Sequence, residues 1–134
     1  MTKYLAAYAA AAVVMLAIDM LWLGFIAKPL YEQGIGHLMA AKPRLWAAAL
    51  FYLLYPVGLV LFAVAPNQGA AWVPTAMMGA AFGLFAYATY DLTNLATLKD
   101  WPLGLSVIDT VWGAAVSAVA SLAGRAALNH FAAT

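Results

Sequence analysis

The chain has 134 residues, of which 67% are hydrophobic and only 8% charged, and its mean hydropathy is +0.91. A water-soluble domain carries roughly 25% charged residues, so this polar inventory cannot cover a water-facing globule, and lipid must be the solvent for most of the chain. The net charge of +1 without a basic run gives a nucleic-acid partner no footing, and the absence of cysteine excludes disulfides, thiolate metal sites and thiol nucleophiles.

The first apolar stretch covers about residues 4–27. A single Lys3 precedes it, Asp19 lies within it, and it outruns the roughly 7–15-residue apolar core of a signal peptide, so it reads as a retained span. The connection over 28–44 opens on Pro29 and holds Leu30, Tyr31, Ile35, Leu38 and Met39, the composition of a short piece lying in the membrane interface; Gly34 and Gly36 argue against a stable helix there. A second apolar stretch follows at about 45–64, and Pro66-Asn67-Gln68-Gly69 forms a turn. The third stretch covers about 72–98, with Pro74 in its first turn, where proline is tolerated. Asp100-Trp101-Pro102 leads into the fourth, about 103–122, with Asp100 placed to cap it.

Each stretch reaches the roughly 20 residues a spanning helix needs. They are continuous and Ala/Leu-rich without period-two alternation, and lipid requires each backbone amide to be satisfied within its own segment. The expectation is therefore an all-α integral membrane protein, an up-down four-helix bundle forming one domain. Gly79 and Gly83, and Gly113, Ser117 and Ser121, recur at spacing four as ridges for close helix approach. Trp22, Trp46, Trp72 and Trp101 fall near span ends, where an aromatic belt is the ordinary account. Lys28, Lys42, Arg44 and Lys99 flank one side and Lys3 and Arg125 the other, which favours both termini outside the cytoplasm.

Three of the few acidic residues, Asp19, Asp91 and Asp109, fall inside the spans. A carboxylate there costs at least about 2.5 kcal/mol on insertion scales, and such residues face the bundle interior and serve function. Each lies about six to eight residues from its span boundary, roughly 9–12 Å at about 1.5 Å per residue. In a four-span protein those three boundaries share one side, so the carboxylates form a layer in one leaflet.

Tyr87, Asp91 and Asn94 make a stripe down the third span, Tyr90, Asn94 and Thr97 a second, and Tyr52 and Tyr55 reach matching depth in the second span. Trp22 and Trp112 each follow an Ile-Asp-x-x-Trp pattern. The candidate ligand-binding set is thus Asp19, Asp91, Asn94, Asp109, Tyr52, Tyr55, Tyr87, Tyr90, Trp22 and Trp112. The plainer account is that these groups hydrogen-bond helices together, at about 0.6 kcal/mol per bond in lipid. No cofactor is evident. Asp19, Asp91 and Asp109 could hold a hard divalent cation, with Asn94 and tyrosine oxygens completing the shell, although no spacing is diagnostic of one. His37 and His130 lie outside the spans, and there is no HExxH, GxSxG or phosphate-binding glycine loop.

Ile18-Asp19-Met20-Leu21-Trp22-Leu23-Gly24 resembles the bacterial membrane family called domain of unknown function 2177. So do Phe51 to Gly58, the string Tyr87-Ala88-Thr89-Tyr90-Asp91-Leu92-Thr93-Asn94-Leu95-Ala96-Thr97, Trp101-Pro102, and Ile108-Asp109-Thr110-Val111-Trp112-Gly113. The resemblance covers essentially the whole chain. It implies a small multi-span protein of the bacterial inner membrane and supplies no reaction.

Three functions fit these readings. One is a protein that binds or transports a small polar or cationic ligand reached from one leaflet. A second is a membrane enzyme using the aspartates as acid and base on a lipid or isoprenoid. The third is an accessory subunit of a larger membrane complex. The partners are the bilayer and a lipid or small polar ligand, and a transporter of this length would need to form a homo-oligomer to complete a pathway.

Overall fold

The computed structural model describes residues 1–133, and among them every regular element is helical. Helix α1 covers Thr2–Leu21 and runs on as a π-turn over Trp22–Ile26; α2 is Lys28–Ile35, followed by a 3-10 turn at Gly36–Leu38. Helix α3 covers Leu45–Leu59 and likewise ends in a π-turn, Val60–Val64, and a 3-10 turn, Ala65–Asn67; α4 is Trp72–Thr97 and α5 is Leu103–Ala132. Three of these segments, Thr2–Ile26, Leu45–Asn67 and Leu103–Ala132, are long and apolar enough to cross a membrane. At 26 residues α4 has the length, but Pro74, Thr75, its glycines and its tyrosines dilute its apolarity.

Small residues dictate the packing. The buried face of α1 is Ala7, Ala11, Met15 and Asp19, each four residues after the last. On α4 it is Thr75, Gly79, Gly83 and Asp91, again at multiples of four. Helix α5 sits between them and carries the longest buried stripe, with Asp109, Gly113, Ser117, Ser121 and Gly124. At Gly79 a Cβ would run into Ser121, and at Gly83 into the Gly113 carbonyl and Ser117, so α4 and α5 lie antiparallel at backbone contact. At Gly124 a Cβ would stand 3.1 Å from the Ala7 carbonyl, which sets α1 against the other flank of α5. Where the driving force between helices is contact rather than water expulsion, small side chains are what permit such approach.

Apolar side chains complete two clusters, one around Met15, Tyr55, Leu59, Val116 and Ala120 and one around Ala7, Val60, Val64 and Leu128. Outward-facing residues remain apolar and bare, among them Phe25, Leu45, Phe62, Phe85 and Val111.

Several local expectations are corrected here. The helix containing 103–122 continues to Ala132, and Arg125 within its added length is 4% exposed. Its guanidinium donates to the carbonyls of Ala70 and Ala71 and to Thr75 Oγ1 (2.9 Å for Thr75), and it lies 5.1 Å from the Trp72 ring centre. Asp100 does not cap α5. It takes a left-handed turn conformation (φ 61°), and Pro102 occupies the cap position without a side-chain hydrogen bond. Trp101 is no belt residue: it is buried, its indole N–H donates to Ser106 Oγ (2.9 Å), and it meets the edge of Tyr90. Despite Gly34, residues 28–35 do form a helix, and Gly34 leaves room for Pro102, which would stand 3.1 Å from a Cβ.

Candidate functional site

Below the tightly packed small-residue half, α3 stands away from α4. The π-turn of α3 packs on α4, but over 45–59 the two backbones stand apart and are bridged by rings: Tyr55 meets Phe82 at 5.1 Å and Tyr87 at 6.1 Å. Pro56 lies within this stretch of α3 and cannot donate to the Tyr52 carbonyl, which loosens the helix there. A cavity of about 590 Å3 fills the space, lined from all five helices. Its polar lining is Asp19, Asp109, Tyr31, Tyr52, Tyr55, Tyr87 and Tyr90 with Trp112, and Leu23, Phe51 and Tyr90, the exposed lining residues, rim its mouth.

Asp19 ends the buried stripe of α1. Its carboxylate accepts Tyr52 Oη at 2.5 Å and Trp112 Nε1 at 2.8 Å, tying α1 to both α3 and α5. Asp109 accepts Tyr31 Oη at 2.5 Å, and the same hydroxyl accepts Trp22 Nε1 at 3.3 Å. Trp22 and Trp112 stack at 4.3 Å and 5°. Asp91 lies behind the cavity wall, wholly buried. Its Oδ2 accepts a long hydrogen bond from Thr110 (3.3 Å), its carboxyl faces that of Asp109, and its Oδ1 has no donor. Tyr55 exchanges a hydrogen bond with Ser117 at 2.7 Å.

Of the ten residues singled out in the sequence, seven line this one cavity: Asp19, Tyr52, Tyr55, Tyr87, Tyr90, Asp109 and Trp112. Trp22 reaches it through Tyr31 and the indole stack. Asp91 touches it through Asp109. Asn94 does not take part: it is half-buried, and its side chain makes no hydrogen bond among the described residues. The α4 face beyond Asp91 turns outward, where Thr93 and Thr97 bond back to the helix's own carbonyls. No group of three or more His, Asp or Glu side chains gathers at metal-binding range among the described residues.

Tyr31 is the principal residue not foreseen. It stands on α2, outside the spans, and only the fold shows that α2 turns back so that its phenol enters the carboxylate layer. Burial first, and then its bond to Asp109, push its hydroxyl well above the usual tyrosine range, so it stays protonated and remains a donor at any physiological pH. We expect Tyr31→Phe to leave thermal melting within a few degrees of the parent, because one hydrogen bond in lipid is worth about 0.6 kcal/mol on average. Limited proteolysis within 28–44 should nonetheless quicken several-fold. Unchanged cleavage would mean that Tyr31 does not anchor α2.

A helical chain with apolar outer faces, small-residue contacts between helices and buried carboxylates defines an integral membrane protein. Residues 4–126 match the family described as predicted membrane protein, domain of unknown function 2177, and the chain belongs to that family. No curated protein and no solved structure matches it.

Proposed function

We propose that this protein binds a small polar or cationic ligand within one leaflet of the membrane, in the cavity between Asp19 and Asp109. The observation that carries the reading is a set of buried carboxyl groups with no basic partner. Asp19, Asp91 and Asp109 are 4%, 0% and 7% exposed, yet no lysine, arginine or histidine is paired with any of them among the described residues. Lys28 pairs with Glu32 at the surface, His37 lies 3.9 Å from Asp100, also at the surface, and the buried Arg125 serves the Ala70–Thr75 segment. Buried carboxylates without a cation are costly. A ligand that brings positive charge or hydrogen-bond donors repays that cost, and a cavity opening between Leu23, Phe51 and Tyr90 gives it a way in.

The same packing supports a membrane arrangement. Helix α4 lies antiparallel along α5, from Thr75 opposite Arg125 to Asp91 opposite Thr110. If α5 spans the bilayer, α4 must span it too, despite its lower apolarity. Together α1, α3, α4 and α5 then make an up-down four-helix bundle in a bacterial inner membrane. Both termini lie outside, and the cavity sits in the cytoplasmic leaflet beneath Lys28, Lys42, Arg44 and Lys99.

Asp19→Asn and Asp109→Asn test the binding function. Each keeps size and hydrogen-bonding capacity and removes the charge. Both variants are expected to insert and to melt close to the parent in detergent, yet to lose the small molecule or lipid that mass spectrometry finds retained on the purified parent. Full retention by both would make the carboxylates structural, and the protein would then be better read as an accessory subunit.

A further inference from the structure

We infer that the ligand is an organic ammonium ion with an apolar body, a hydrophobic amine or the head group of an aminolipid, and not a metal ion or an inorganic cation. The inference rests on the cation-binding reading above and narrows it by three observations. The first is size: about 590 Å3 lies within the roughly 300–1,000 Å3 of small-molecule sites and is far more than a bare ion occupies.

The second is the nature of the walls. A hard cation such as Mg2+ or Ca2+ takes about six or more oxygens at close range. Here Asp19 and Asp109 stand on different helices, each already engaged by a phenol, and although Asp91 faces Asp109, no third His, Asp or Glu joins that pair at metal-binding range among the described residues. Most of the remaining lining is aromatic, from Tyr31 and Phe51 to Tyr87 and Trp112, with Leu23, Ile35 and Ala86 as its aliphatic part. Ring faces attract an ammonium through their quadrupole, most strongly where water is excluded, and do little for a strongly hydrated metal ion. A carboxylate beside aromatic faces, lacking a cation of its own, is thus matched to an alkylammonium.

The third observation is the mouth. The lining residues that reach the outer surface, Leu23, Phe51 and Tyr90, are mainly apolar, so a ligand whose head reaches Asp19 leaves its body among apolar side chains. A small hydrophilic cation has nothing to gain there; an amphiphilic amine does.

The test uses the purified full-length protein in dodecyl maltoside, a non-ionic detergent, read by intrinsic fluorescence, since Trp112 lines the cavity and bonds Asp19. The probes are hexyltrimethylammonium, its neutral tert-butyl carbon analogue, Mg2+ and K+. The ammonium is expected to give a saturable change, the neutral analogue none. Asp19→Asn and Asp109→Asn, each checked by melting, should weaken the ammonium at least tenfold; having both keeps the test open if one fails to fold. Equal response to the neutral analogue, or unweakened binding by both variants, overturns the inference. A response to Mg2+ or K+ with none to the ammonium overturns it while leaving the cation-binding reading intact. No response to any cation sinks both. Added phosphatidylethanolamine separates the two sources within a supported inference: competition with the probe assigns the site to a lipid head group, and its absence to a free amine.

Discussion

Gly83→Ala should lower the melting temperature sharply, although it adds a single methyl group. The new Cβ would press on the Gly113 carbonyl and on Ser117 Oγ, and the nearest obstacle is backbone, which cannot swing aside as a long side chain would. Helices α4 and α5 would have to separate along the whole ridge from Gly79 to Gly113. Overpacking a well-packed interface costs about 1–3 kcal/mol. Part of the loss also falls on the cavity, because Tyr87 packs over Gly113 and moves with it. The control is Gly104→Ala, in the first turn of α5, where nothing stands within 4 Å of the added atom. That change should be neutral or raise stability by up to about 1 kcal/mol, as alanine replaces glycine in a helix. Equal melting of the Gly83 and Gly104 variants in detergent would refute backbone contact between α4 and α5.

Asp91→Asn is expected to act in the opposite direction on stability and to abolish ligand retention. Asp91 is fully buried and leaves Oδ1 without a donor while facing another carboxyl. An asparagine of the same shape keeps an acceptor for Thr110 and offers Asp109 an NH2 donor, so that the contact no longer depends on a proton shared between two carboxyls. Relief of a buried unsatisfied polar group is worth about 1–3 kcal/mol. A residue that costs stability where a neutral isostere would add it is retained for something other than folding. Thermal melting and mass spectrometry of retained ligands on the same preparation decide the matter. A less stable variant would show that the carboxylate is a structural link.

Much of this arrangement is legible in the sequence, for reasons that also mark the limit. Counting residues from a span boundary gives depth in a helix directly, because the rise per residue is constant. Asp19, Asp109 and the tyrosines on α3 and α4 can therefore be assigned to one layer without a structure. Spacing four likewise exposes the Gly79–Gly83 and Gly113–Ser121 ridges. Phase around the helix is harder. Asn94 lies three residues past Asp91, one step in the same stripe on paper, yet it is only half-buried and its side chain makes no hydrogen bond among the described residues. Arg125 defeats a hydropathy reading because a satisfied guanidinium counts as charge in a profile and as a set of closed hydrogen bonds in the fold. Tyr31 depends on how a loop turns back, which neither depth nor phase encodes.

The π-turn at Trp22–Ile26 sets that return. A turn of this kind holds one residue more than the helix around it, and in an α-helix each residue advances the phase by about 100° and the axis by about 1.5 Å. Trp22 opens the turn against Trp112, and Tyr31 lies beyond it on α2. Deleting Gly24, the one residue of the turn without a side chain, would let α1 continue as a regular helix without loss of an apolar side chain. It would also swing the start of α2 by about a quarter turn and carry the Tyr31 hydroxyl away from Asp109. The irregular turn works as a phase shifter: a single inserted position decides which face of a short surface helix is presented to the carboxylates beneath it.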